Sequence, residues 1–125
     1  FTIYNVGGKV VKMSCFSKFD KKEKFLNKTL NIDENLYNEL AYLSNEVYMA
    51  SINKLVNAAI ENLVEKEDVM IYQRKNTLCV TRSLCIKESL MEKLLLLKQK
   101  YRLSINLLVN IAIKNALKEE ENEKK

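Results

Sequence analysis

The stretch Val80-Thr81-Arg82-Ser83-Leu84-Cys85-Ile86 decides the fold. Its residues alternate in character. Val80, Leu84 and Ile86 are apolar and point one way; Thr81, Ser83 and Cys85 are small and point the other. Arg82 interrupts the apolar row. This is the pattern of a strand with one covered face, and so short a strand needs a partner strand and a helical cover. An earlier stretch, Leu26-Asn27-Lys28-Thr29-Leu30-Asn31-Ile32, has the same design. Leu26, Leu30 and Ile32 face one way, Asn27, Thr29 and Asn31 the other, and Lys28 stands where Arg82 does.

Each strand runs into a helical pattern. Asp33 has the chemistry of an N-cap and Glu34 suits a first turn. Leu36, Leu40 and Leu43 then recur at helical spacing, which predicts a helix over 34–46 and a turn around 47–50. Ser51 is the N-cap expected for a second helix, with Ile52, Leu55, Val56, Ala59, Ile60 and Leu63 inward and fraying in 65–68. After the second strand, Leu90, Leu94 and Leu97 repeat the first helix. Tyr101–Leu103 turns, Ser104 caps, and Ile105, Leu108, Val109, Ala112, Ile113 and Ala116 face inward.

The repetition extends to residue identity. Ser51-Ile-Asn-Lys-Leu-Val-Asn-Ala-Ala-Ile-Glu-Asn62 aligns with Ser104-Ile-Asn-Leu-Leu-Val-Asn-Ile-Ala-Ile-Lys-Asn115, identical at nine of twelve positions. The offset is 54 in the strand and first helix and 53 in the second helix. One residue is therefore gained or lost between the helices, and the expected place is the turn, since loops tolerate this better than helices. The organisation expected is an extension over 1–24, a first unit over 25–68, a connector over 69–78, a second unit over 79–119 and a charged tail over 120–125. In the extension, residues 1–16 can form a hairpin turning at Gly7-Gly8, followed by a basic arm.

The 125 residues suffice for one ordinary domain or two very small ones. There is no proline to break a helix and no histidine for catalysis or metal binding. The three cysteines, Cys15, Cys79 and Cys85, match no zinc spacing and suggest free thiols in a reducing, cytoplasmic compartment. No apolar run approaches the ~20 residues of a membrane span. The net charge of +5 is unevenly spread. Residues 9–28 hold seven lysines against two acids, residues 29–68 two lysines against eight acids, and residues 69–104 eight basic side chains against two acids. A polyanion partner and a merely solvated lysine-rich surface both fit this distribution.

A strand, a helix, a tight turn opening on serine and a second helix, twice in one chain, resemble the ribbon-helix-helix family of DNA-binding proteins, the Arc, MetJ and CopG type. The resemblance covers about 26–66 and 80–119 and rests on the alternating strands, the closing Ile32 and Ile86, the helix start Asp33-Glu34, and the openings Met49-Ala-Ser51 and Leu103-Ser104. It implies a mainly α fold, a tandem β-α-α-β-α-α chain whose two strands pair antiparallel as an intramolecular pseudo-dimer. The connector, about 12 residues, can reach ~40 Å, enough to bring the second strand beside the first.

In that family the outer face of the ribbon enters the major groove. The resemblance therefore assigns base contacts to Asn27, Thr29, Asn31, Thr81, Ser83 and Cys85, of which Cys85 departs from the usual polar choice. Asn suits adenine, and Ser and Thr can bond either kind of base. The opposite strand parity would bury these polar groups at roughly 1–3 kcal/mol each. Phosphate contacts are implied at the second-helix openings, Ser51 and Asn53, Ser104 and Asn106; plain helix capping is the alternative for the serines. Lys28 and Arg82 can snorkel outward to the DNA backbone. Lys21, Lys22 and Lys24, and Arg74 and Lys75, precede the two strands and are placed for phosphate.

The function expected is sequence-specific binding of double-stranded DNA without enzymatic activity or cofactor. The role is that of a repressor or a plasmid accessory protein in conjugation, partition or copy control. Two units in one chain resemble the TraY type of conjugation protein. Cooperative self-association on DNA and a plasmid-encoded protein partner are further expectations; no membrane partner is expected. The alternative is an antitoxin or adaptor whose main partner is another protein.

Overall fold

The computed structural model describes the backbone of residues 2–6 and 9–13 and the whole of residues 24–72 and 78–123. Strands β1 (Thr2–Val6) and β2 (Lys9–Met13) pair antiparallel, with Val6 opposite Lys9, the hairpin expected around the glycines. The remaining elements are β3 (Phe25–Asp33), α1 (Glu34–Tyr42, continuing as a π turn over Leu43–Val47), α2 (Ile52–Lys66), β4 (Cys79–Lys87), α3 (Glu88–Tyr101) and α4 (Ile105–Glu123). The chain is mainly helical, and β3 and β4 form a two-stranded antiparallel ribbon with Thr29 opposite Ser83 at its centre.

Alternation places the strands. Leu30, Ile32, Leu84 and Ile86 are buried beneath the ribbon, while Asn27, Thr29, Asn31, Thr81 and Ser83 are exposed and Cys85 is half-buried. Burying each such aliphatic side chain stabilises the fold by about 1.5–3 kcal/mol. The covered face narrows at the strand starts, where Leu26 is exposed and Val80 only half-buried.

Helices α2 and α4 pack on each other at the centre of the helical layer, with α1 against α4 and α3 against α2. The packing crosses the repeats. Helix α2 of the first also covers β4 of the second, and α4 covers β3. Neither repeat has a core to itself; Ile32, Val56, Ile60, Ile86, Leu108 and Ile113 are enclosed in one shared cluster.

The helix starts depart from the local reading. Asp33 and Lys87 hold the N-cap positions of α1 and α3, and neither side chain caps. The first amide of α1, Glu34 N–H, donates instead to the Leu78 carbonyl at 2.8 Å, and that of α3, Glu88 N–H, to the Lys24 carbonyl at 2.8 Å. Each start is thus satisfied by backbone entering the opposite strand, so Lys87 can replace an aspartate there. The Asp33 carboxylate, buried, accepts from the Tyr72 hydroxyl and, at 3.7 Å, from the Cys79 thiol.

The odd residue also lies elsewhere than expected. Tyr48 and Met49 correspond to Tyr101 and Arg102, and Met49 and Arg102 both adopt left-handed backbone, φ 50° and 56°. The step from Leu43 to Tyr48 is one residue longer than that from Leu97 to Tyr101. Tyr48 N–H bonds the Leu43 carbonyl at 2.9 Å, five residues back, so the insertion is absorbed as a π turn ending the helix rather than in the loop. The Ser44 hydroxyl, buried, donates to the Ala50 carbonyl and holds the following turn against it. Finally, the charged tail is helical through Glu123, and Tyr48 donates to Glu120 at 2.5 Å.

Candidate nucleic-acid interface

The outward row of the ribbon is organised in cross-strand pairs. Asn31 stands opposite Thr81 and Asn27 opposite Cys85, with Thr29 and Ser83 between them. The Thr81 hydroxyl donates to Asn31 Oδ1 at 2.7 Å, and the Cys85 thiol to Asn27 Oδ1 at 3.0 Å. The thiol that departed from the expected polar choice therefore does the same work as the threonine. Each asparagine is oriented by its carbonyl, which keeps a second lone pair, while its NH2 supplies two donors.

A two-stranded ribbon has two open edges, and unpaired strand groups need partners. Here they come from asparagines on the second helices. Asn110, fully buried, accepts from Asp33 N–H at 2.8 Å and donates to the Asn31 carbonyl at 2.9 Å; Asn106 Oδ1 accepts from Asn31 N–H at 3.2 Å. The first repeat mirrors this on β4. Asn57 accepts from Lys87 N–H at 2.9 Å and donates to the Cys85 carbonyl at 2.8 Å, and Asn53 Oδ1 accepts from Cys85 N–H at 3.1 Å. Helices of one repeat thus clasp the strand of the other. Sequence reasoning missed Asn57 and Asn110. The available signal was an Asn four residues after another Asn, in both repeats, inside helices where asparagine is a poor former.

The clasps set the second-helix openings beside the ribbon. Ser51 and Ser104 cap them, their hydroxyls accepting from Lys54 N–H at 3.2 Å and Leu107 N–H at 3.1 Å. The amides of Ile52 and Asn53, and of Ile105 and Asn106, precede the first intrahelical bonds and carry the positive end of the helix dipole. At the α2 opening a groove of about 620 Å³ runs between helix and ribbon, lined by Phe25, Ser51, Asn53, Lys54, Cys85 and Lys87 among others. Two lysines therefore flank this opening. The corresponding positions at the α4 opening are Leu107 and Asp33, so the two ends of the ribbon differ in charge.

Lys24, Lys28 and Arg82 are exposed. Arg82 swings out from the covered face. Its guanidinium lies 4.9 Å over the Tyr37 ring and donates to the Thr81 carbonyl at 2.9 Å, a stacked, oriented cation beside the ribbon centre. Lys21, Lys22, Arg74 and Lys75 lie outside the described residues.

Exposed polar pairs tie the repeats together as well. Glu119 bonds Lys66 at 2.8 Å and Asn62 at 2.6 Å, and Glu67 bonds Lys100 at 2.7 Å and Tyr101 at 3.0 Å. These bonds hold the Glu119 and Glu67 carboxyls below the usual glutamate range and raise both lysines. The Glu120 carboxylate at its hydroxyl raises Tyr48.

Among the described residues no group of three or more Cys, Asp or Glu is placed to hold a metal ion, and no helix is long and apolar enough to cross a membrane. Compared with known proteins, the chain matches no family model, no curated protein and no solved structure.

Proposed function

We propose that this chain is a double-stranded DNA-binding protein of the ribbon-helix-helix type, a tandem unit folded as an intramolecular pseudo-dimer. The ribbon of β3 and β4 reads base edges in the major groove. The observation that carries this reading is the exposed row Asn27, Thr29, Asn31, Thr81 and Ser83, short hydrogen-bonding side chains on a face that the core leaves uncovered. A B-form major groove admits a two-stranded ribbon, and an asparagine with one carbonyl lone pair and an NH2 available matches the N6 and N7 of adenine. The helix openings at Ser51 and Ser104 flank the ribbon where phosphates would run, and Lys54, Lys87, Arg82, Lys28 and Lys24 add positive charge. The side-chain carbonyls of Asn53 and Asn106 are held by the strand edges, which orients their NH2 donors, and these donate to phosphate beside the backbone amides.

In this reading the protein acts in the cytoplasm without cofactor or catalysis, as a repressor or a plasmid accessory protein. The test is selection of bound sequences from random duplex DNA at stated salt. Recovery of a single short motif supports a specific reader. Uniform retention of all duplexes marks a general DNA coater. No retention at low salt sinks the DNA reading in favour of a protein-binding adaptor.

A further inference from the structure

The first helices of the two repeats occupy equivalent places and carry opposite charge on their exposed sides. At the 54-residue offset Glu39 falls on Lys93 and Tyr42 on Leu96; beyond them Glu46 lies in the π turn that holds the extra residue, and Lys100 lies in the last turn of α3. All six are exposed, Tyr42 by 58% and Leu96 by 65%. Their spacing puts each trio on one stripe of its helix, an aromatic or aliphatic side chain between two like charges. Since α1 and α3 flank the central α4–α2 pair from either side, the stripes lie at opposite flanks of the molecule.

The acidic stripe borders a groove of about 320 Å³ lined by the buried Leu43 and Leu117, the exposed Tyr42, and the carboxylates of Glu39, Glu120 and Glu121. The basic stripe offers its complement, Leu96 standing out between Lys93 and Lys100. Lys100 is held at that surface by Glu67, 2.7 Å away.

We infer that copies of this chain associate head to tail, Leu96 of one molecule seated in the acid-rimmed groove of the next, with its neighbouring lysines against the glutamates. A second copy is the occupant because one chain carries both halves, with the charge reversed at equivalent positions. A symmetric joint would set Glu39 against Glu39 or Lys93 against Lys93, which repels. A heterologous joint that does not close on itself adds molecules in a row of one polarity. The inference is independent of DNA binding, because it is tested without DNA.

The experiment is sedimentation velocity of the full chain at low and high salt. Two surface variants are included: Glu39→Gln with Tyr42→Ser removes the groove side, and Lys93→Gln with Leu96→Ser removes the plug side. Thermal unfolding checks that both remain folded. The wild-type chain should grow past the dimer as concentration rises, about tenfold more weakly in high salt. Each variant alone should stay monomeric, and an equimolar mixture should form a 1:1 dimer and stop, because one intact joint remains. Three results overturn the inference: a wild-type chain monomeric at every concentration, which leaves the groove to some other basic partner; assembly by either variant alone; or a mixture that stays monomeric.

Discussion

Compare the second helices of the two repeats with the outward face of the ribbon. Across α2 and α4, nine of twelve aligned residues are identical. Across the outward strand positions none is: Asn27 aligns with Thr81, Thr29 with Ser83 and Asn31 with Cys85. Apart from the exposed capping serines, Ser51 and Ser104, the identical residues answer largely to the inside of the molecule. Asn53, Asn57, Asn106 and Asn110 each bond the strand of the opposite repeat, and Val56, Ile60, Val109 and Ile113 fill the shared core. The divergent strand residues point away from that core, whereas in the helices Ala58 and Ile111 differ although Ile111 is buried. Where both repeats must satisfy the same internal bond they stayed alike, and where they face outward they became different.

The largest expected effect tests the inside. Leu84→Ala should cost about 2–5 kcal/mol of stability, whereas Ser83→Ala, its neighbour on the other face, should cost less than about 0.5. Urea unfolding midpoints measure both, and comparable losses would undo the distinction between faces. Next come the clasps. Asn110→Ala strands the Asp33 amide and the Asn31 carbonyl, so a loss of about 2–4 kcal/mol is expected, with a smaller loss for the slightly exposed Asn57→Ala. A stability unchanged by both would show that the shared asparagines are not what kept the helices alike.

Binding tests the outside. Asn27→Ala should lose roughly 1–3 kcal/mol on the selected sequence with little change in melting temperature, and Ser83→Ala less, because a hydroxyl makes fewer base contacts than an amide. The site should be non-palindromic; a footprint centred on a perfect inverted repeat would contradict the asymmetry of the two strands. Neutralising Lys54 and Lys87 together should lower the salt slope of binding by about two, with all duplexes affected alike. An unchanged slope would leave these lysines as solvated surface.

The smallest effect concerns pH. Glu67 and Glu119 have carboxyls lowered in the folded chain, so what they contribute to stability is present above the ordinary glutamate value of 4.5 and is lost as pH falls through their folded values. Lys66 and Lys100 are raised, so theirs is present below 10.5 and lost above it. Glu119→Gln should remove a minor part of the acid-side decline in melting temperature and leave the neutral plateau almost unchanged. A steeper acid decline in that variant would reverse the sign.

What the sequence disclosed was whatever depends on period. The two-residue alternation in 26–32 and 80–86 separated buried Leu30, Ile32, Leu84 and Ile86 from exposed Thr29 and Ser83, and the three-four spacing of leucines located both first helices. What it hid depends on contacts made far along the chain. Asp33 looked like a helix cap because capping is usually local, yet the Glu34 amide is satisfied by Leu78, 44 residues onward from Glu34 by the numbering. Asn57 and Asn110 drew no assignment from the sequence because nothing nearby says that a strand edge lies opposite. The extra residue was sought in a loop because regular helices cannot hold it; a π turn can. Lys54 and Lys87 meet at one groove only once the repeats interlock.

The pairing of β3 with β4 inside one chain has a consequence for dosage. A ribbon built from two separate chains exists only where those chains meet, so its abundance falls with the square of concentration at high dilution. Here both strands belong to the same molecule, and the ribbon is complete however scarce the protein is. At concentrations too low for copies to associate, its unfolding midpoint should not shift on dilution, and the occupancy of a single DNA site by one molecule should rise in simple proportion to the number of copies.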